Sequence, residues 1–340
     1  MSVSASTHPT MLDYQTRVNG KGEIADIIEI IRQENQLLDY IPWIKCNDGS
    51  AHETSVRTGL PTPTWRKLYG GVQPTKSVVR KVKDTTGIMH AYAEVDCDLV
   101  QKNGNSAAFR MTENSGHLDG MNEEFMSTFF YGNEGTEPEA FTGMSPRYND
   151  SRVANAENAR NTIHANDSTT EVTNTSMWVM SFGPRALHGI YPDGFEMGLK
   201  HDDKGQVTIE DVDGSNGGRM EAFRSHYRWA CGMSLRNWQT CARTQFRYES
   251  LTKDASSTSV DLFDQVSKML ARTKRGGGDT KKVIVVNEGT LEFLRLQAKH
   301  AVTSSTLSRS ELAGREVDVL DGVPVLMCDA LLYNEGEILH

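Results

Sequence analysis

The sequence predicts an α+β chain, and three patterns carry that prediction. A long strand of period-two alternation runs through Phe223, Tyr227, Trp229, Cys231, Met233 and Leu235, with Arg224, His226, Arg228, Ala230, Gly232 and Ser234 on the other face. A long amphipathic helix sets Leu118, Met121, Phe125 and Phe129 at offsets of three and four, with Glu123, Glu124 and Ser127 opposite. Beyond residue 255 the texture changes to alternating helix and strand, so a domain boundary is placed there. The chain has 340 residues, enough for two domains or one large one with excursions.

In chain order, residues 1 to 20 are polar and aperiodic and read as an arm that orders only against something else. Ile24, Ile27, Ile28, Ile31 and Leu38 then fall at helical spacing, with Asp26, Glu29, Arg32 and Gln33 facing away. Thr54 to Thr58 and Lys76 to Val82 are strand-like, separated by turn chemistry at Gly59, Pro61, Pro63, Gly70, Gly71 and Pro74. Neither face of the second piece is apolar enough to bury on a core, so the hairpin is expected to gain its order from a partner surface. Between His52 and Lys83 lie Arg57, Arg66, Lys67, Lys76, Arg80, Lys81 and Lys83 against Glu53 alone, a local charge of +6 in a chain of net charge −9. The acidic stretch from Asp193 to Asp213, locally −5, is the complementary surface on which this loop is expected to dock in an adjacent subunit.

The helix is placed from Thr112 to Tyr131, stopped by Gly132 and Asn133, and its apolar residues read as core rather than as a cofactor box. Residues 149 to 175, rich in Asn, Ser, Thr and Ala, read as a long loop, and His201 to Gly205 as a turn between strands. A strand over Thr240 to Tyr248 follows the long one, and the two suggest an extended antiparallel sheet. Further on, Leu262 to Leu270 form a helix, Lys282 to Val286 a buried strand, and Asn287 caps a helix carrying Leu291 and Leu294. Glu316 to Leu320 and Val323 to Met327 pair through a two-residue turn at Asp321 and Gly322.

No constellation of residues points to catalysis. The G-x-S-x-G elbow fails at Gly143-Met144-Ser145-Pro146, Gly276 to Gly278 precede a strand where a phosphate loop must follow one, and no H-E-x-x-H occurs. His117 and Asp119, two apart on a helix, point to different faces; Asp211 to Asn216 lacks the glycine and glutamate of a calcium loop and reads as a solvated acidic turn. Cys46, Cys97, Cys231, Cys241 and Cys328 are unpaired in spacing and read as free thiols. Catalytic, cofactor and metal residues are therefore expected to be absent. Arg224, His226 and Arg228 lie on the face opposite Tyr227 and Trp229, so bases could not stack where phosphates would bind, and a salt-bridged or solvated face is the better reading. Neither secretion by a signal peptide nor membrane spanning is expected, and the pI of 5.6 disfavours a whole-surface nucleic-acid binder.

An ordered series of fragments is less generic. Val56-Arg57-Thr58-Gly59-Leu60-Pro61, Gly71-Val72-Gln73-Pro74, Ala93-Glu94-Val95-Asp96, Tyr131-Gly132-Asn133, Phe141-Thr142-Gly143, Gly183-Pro184, His188-Gly189-Ile190-Tyr191-Pro192, Trp229-Ala230-Cys231-Gly232 and Gly322-Val323-Pro324-Val325 resemble, in order, the major capsid proteins of tailed bacteriophages. The group of the epsilon-fifteen-like short-tailed phages is the nearest resemblance, over residues 20 to 330. It implies the Hong Kong 97-type shell fold: an N-terminal arm and helix at 1–48, an extended loop at 49–92, a peripheral domain at 93–255 with its spine helix at 112–131, and an axial domain at 256–340. The strand pair of 223 to 248 precedes the helix-strand-helix unit of 261 to 299, which suggests a permuted version of the fold.

The resemblance further implies a homo-oligomer of hexamers and pentamers in an icosahedral shell around double-stranded DNA, contacted non-specifically. It implies scaffold, portal and decoration partners, no cofactor, no membrane, assembly in the host cytoplasm and residence in the virion. Too few residues precede the first helix for a fused scaffold, and an isopeptide cross-link through Lys67, Lys76, Lys81 or Lys83 is not expected. The competing readings are an encapsulin-like nanocompartment shell and a soluble enzyme with an unrecognised site; particle size and packaged DNA separate the three.

Overall fold

The structure is a computed structural model, which describes residues 36–101, 106–152, 157–165, 173–210, 219–252, 260–274, 277, 280–300, 307–312 and 315–339. The expected arm, most of the expected helix of residues 24 to 38 and the acidic turn at Asp211 to Asn216 lie outside these residues. The strands are β1 (Trp43–Lys45), β2 (Ala51–Gly59), β3 (Val78–Asp96), β4 (Thr162–Ala165), β5 (Asn174–Phe182), β6 (Leu187–Tyr191), β7 (Leu199–Glu210), β8 (Arg219–Leu235), β9 (Ala242–Arg247), β10 (Lys281–Val286), β11 (Leu307–Leu312), β12 (Arg315–Leu320) and β13 (Val323–Met327). The α-helices are α1 (Cys97–Gln101), α2 (Ser106–Tyr131), α3 (Leu262–Arg272) and α4 (Glu288–His300). Among the described residues no helix is long and apolar enough to cross a membrane.

The chain forms two compact units, the smaller from residues 88–126 and 196–230, the larger from 34–87, 127–195 and 231–340. In the smaller unit β7 pairs antiparallel with β8 from Leu199↔Trp229 to Glu210↔Arg219. The ladder shifts register between Asp203 and Gly205, where Gly205 takes φ +68. The residues expected to form a turn are thus a bulge inside a strand, because a glycine at positive φ serves either purpose. Helix α2 buries Met121 with Ala93 and Tyr227, and the Phe125 ring lies 4.6 Å from Trp229; Leu118 is half-buried beside them. The helix begins six residues before the expected Thr112, at Ser106, where Ala107 and Ala108 favour helix strongly. On the polar face of β8, Arg224 Nε donates to Glu94 Oε1 at 2.6 Å, so this arginine is salt-bridged, while His226 meets His90 at 2.9 Å.

The larger unit is built on a sheet in the order β11-β12-β13-β10-β5-β6-β8, followed by β3 and β2. Its centre is β5, buried at every position. Met177 and Val179 join Phe246, Val266, Met269, Ile284 and Leu294 in one core, while Trp178 meets Tyr148 and Phe130 at 5.8 and 6.2 Å. Asp261 caps α3 by accepting from Phe263 N and Asp264 N, and Asn287 caps α4 by accepting from Thr290 N at 2.9 Å. Asp321 and Gly322, at φ +50 and +77, join β12 to β13 in the expected tight hairpin.

Two expectations fail on strand pairing. Strands β8 and β9 are not partners: β8 pairs with β6 and β7, whereas β9 lies antiparallel to β5 and parallel to β4. Between them Asn237 caps a 3₁₀ turn at Trp238–Thr240 instead of a hairpin turn, which redirects the chain into another part of the sheet. The pair on which a permuted order rested therefore does not exist. The stretch 149 to 175, expected to be loop, contains β4 and the first residues of β5; its buried polar side chains find backbone carbonyls of other segments, Asn161 Nδ2 donating to Cys241 O at 2.8 Å and Thr175 Oγ1 to Leu332 O at 2.9 Å.

Candidate functional site

The hairpin of β2 and β3 carries the seven basic residues singled out in the sequence. Its ladder runs from Ala51↔Thr85 to Arg57↔Val79 and slips at Gly59, which faces Val78. Asn47 anchors the base by donating to Glu53 O and accepting from Glu53 N, both at 2.7 Å. Lys81 pairs with Glu53 at 2.7 Å and Lys83 with Asp48 at 2.9 Å. These hydrogen bonds raise both ammonium groups above their ordinary range and hold Asp48 below its own. Two of the seven cations are therefore spent on the hairpin itself. Among the described residues no carboxylate pairs with Arg57, Arg66, Lys67, Lys76 or Arg80.

Beyond the base, every residue from 60 to 81 is exposed. Sequence reasoning took this segment only as turns and charge, and missed its apolar content. Trp65 and Tyr69 are fully exposed, Leu68 is 90% exposed, and Leu60 and Val72 are exposed beside them in the chain. A turn closed by Gly70 N on Lys67 O at 3.0 Å holds Tyr69 at φ +66, a conformation costly for a bulky residue. The signal was present in Trp65 and Tyr69, large aromatics among prolines and glycines, where a loop that merely connects two strands would be polar.

The acidic stretch proposed as a docking surface is largely occupied by its own chain. Asp193 meets Lys45 at 2.6 Å, Asp203 meets Arg110 at 2.9 Å, Asp202 meets Lys204 at 3.8 Å and Glu210 meets Arg219 at 3.1 Å. Of the spine-helix residues, Met121, Phe125 and Phe129 are buried and Leu118 half-buried. The five cysteines are free and buried. Burial pushes Cys46 and Cys241 up to about 11 and Cys231 and Cys328 up to about 12, so these four carry no thiolate at neutral pH. Among the described residues no group of three or more His, Cys, Asp or Glu side chains is placed to hold a metal ion.

The family described as major capsid protein GP7 matches residues 19–339. Among solved structures, that of bacteriophage Epsilon15 is 30% identical over 100% of this chain and 99% of that one, with a TM-score of 0.78. The capsid of bacteriophage JBD30 is 11% identical over 87% and 90% of the two chains, with a TM-score of 0.49. The SrpI encapsulin of Synechococcus elongatus PCC 7942, at 11% identity over 65% and 91% and a TM-score of 0.35, is too distant to support an encapsulin reading. No curated protein matches the chain in sequence.

Proposed function

The chain belongs to the major capsid protein GP7 family and is a phage major capsid protein of the Hong Kong 97-type fold; from that premise we propose that its β2–β3 hairpin is the extended loop by which each copy grips a neighbour in the shell. The observation that carries this is the loop itself, with five unpaired cations and the exposed apolar side chains of Leu60, Trp65, Leu68, Tyr69 and Val72 that its own chain leaves uncovered. Exposed aromatics flanked by Arg and Lys are the composition of an interface core, and a second copy of the chain is the partner a shell supplies in greatest number.

In this reading the copies close into hexamers and pentamers around double-stranded DNA, which an acidic protein contacts weakly and without sequence preference. Scaffold, portal and decoration proteins are separate partners, assembly takes place in the host cytoplasm, and the chain performs no catalysis. Residues 1–48, 49–92, 93–255 and 256–340 serve as arm, extended loop, peripheral domain and axial domain, with Leu118, Met121, Phe125 and Phe129 forming the spine-helix core.

The test is to reverse the unpaired cations Arg57, Arg66, Lys67, Lys76 and Arg80 together to Glu, leaving Lys81 and Lys83 to their partners. Each exposed pair is worth only about 0–1 kcal/mol, but the change repeats at every copy of the contact. The variant should keep the wild-type circular dichroism spectrum and form no shells by electron microscopy. Normal closed particles would show that the charge of this loop does not guide assembly.

A further inference from the structure

At the root of the hairpin two histidines are buried without the partners that buried imidazoles normally have. His52 of β2 stands opposite Asp84 of β3, and His188 of β6 stands opposite Ser234 of β8. Their rings meet edge to face, centroids 5.5 Å apart and planes at 88°. His188 is 1% exposed, yet neither of its ring nitrogens bonds to another side chain, and the Ala186 backbone is the one acceptor that favours its charged form; His52 Nδ1 is also buried and unbonded. The one carboxylate at hand, Asp84, already accepts from Arg147 Nη2 at 2.8 Å and from Ser234 Oγ at 2.7 Å. The charged groups facing the pair are thus Asp84 from β3, Arg147 beside it, and Arg236 just after β8.

We propose that His52 and His188 form an acid-sensitive latch, which holds the root of the hairpin in the sheet while both rings are uncharged and releases it when one takes up a proton. A proton on either ring places a buried charge beside a second imidazole and beside a carboxylate already taken by Arg147 and Ser234, with the exposed Arg236 adding to the repulsion. Exposing the charged ring to water relieves that cost. His52 is the ring that can be exposed, because β2 ends the strand order and pairs with β3 alone among the strands, so that it can peel away together with the Asn47–Asp48 turn bonded to it. Burial, and next the neighbouring His52, hold His188 down to about 4, and burial lowers His52 as well. Both folded-state values lie below that of a free imidazole, so the latch is fully closed above about pH 6.5 and weakens as the pH falls toward the folded-state values.

The latch resides in strands of one chain and is independent of what the loop tip touches, so it can fail or hold separately from the docking reading. Amide hydrogen exchange of the purified full-length protein at about pH 7.5 and about pH 5, corrected for intrinsic rates, tests it. Residues 51–59 and 78–86 should lose protection about tenfold or more in acid, while β10 keeps its own. His52→Gln, which removes the ring that can be exposed, should retain the neutral-pH protection of the hairpin at the lower pH, and His188→Phe should lose less protection in acid than the wild type. The proposal is overturned if the wild-type hairpin is equally protected at both pH values or if β10 opens along with it. It is also overturned if the folded variants open in acid as the wild type does; should His188→Phe not fold, His52→Gln decides.

Discussion

Arg243 and Glu335, 2% and 1% exposed, meet at 2.9 Å in the interior of the larger unit. Arg243 also donates to Ser176 Oγ at 2.8 Å and to the Tyr148 carbonyl at 2.9 Å, and its guanidinium lies 5.1 Å from the centre of the Trp178 ring. Glu335 accepts from the Ser176 and Tyr131 hydroxyls, and burial followed by that carboxylate pushes the Tyr131 phenol above its ordinary range. The network fastens the end of the chain: Gln245 donates to Gly336 O at 2.7 Å and accepts from Ile338 N at 2.9 Å. Because a buried ion pair is costly mainly when one member is removed, Glu335→Ala should lose about 3–5 kcal/mol in urea denaturation. The double variant Arg243→Met, Glu335→Leu leaves no orphaned charge and should lose clearly less. Equal losses from both would mean that the segment is held by packing and not by this pair. None of this was legible in the sequence, where Arg243 is one alternating residue of a strand and Glu335 lies in an undistinguished tail. They stand 92 positions apart in the chain.

At the scale of the element, legibility followed the range of the interactions that define each one. Caps and turns are local, and Asp321 with Gly322 and the cap at Asn287 stand where the spacing put them. Strand partners are not local. β5 is buried on both faces and so lacks the alternation that marks a half-buried strand, and β7 carries Asp202, Asp203, Lys204 and Gly205, whose turn-like chemistry serves a bulge. The candidate site divides in the same way: its cations were visible as composition, whereas the pairing of Lys81 and Lys83, and the buried histidines, appear only once the strands are in register. Helix α2 tests whether packing or propensity holds a long element together. It contains Gly116 and Gly120, where an added Cβ would meet nothing within 4 Å. Gly120→Ala should therefore raise stability by about 0.5–1 kcal/mol. Phe125→Ala, removing a ring packed on Trp229, should lower it by about 3–5 kcal/mol. Thermal denaturation of the two variants checks both signs; a Gly120→Ala protein no more stable than wild type would show that the helix does not gain from propensity at that position.

For the whole molecule the question is how a chain of net charge −9 contacts further copies of itself. Like-charged bodies repel at long range, and the +6 hairpin reverses the sign locally, so that in the proposed docking it would turn one copy toward the acidic remainder of another. Charge of this kind acts over about 8–10 Å at physiological salt and governs encounter more than residence. In the proposed docking, the exposed Trp65, Leu68 and Tyr69 would act the other way, contributing nothing at a distance and most of the affinity once water is excluded. The two contributions are separable. Raising the ionic strength should slow shell formation, followed by light scattering, while leaving the final yield of particles nearly unchanged. Trp65→Ala with Tyr69→Ala should lower the final yield at every salt concentration, since losing an aromatic anchor costs about 2 kcal/mol or more per contact and each contact recurs throughout the shell. Should the double variant assemble to the wild-type yield at low and high salt alike, the tip is not an anchor, and the strained backbone at Tyr69 would need another cause.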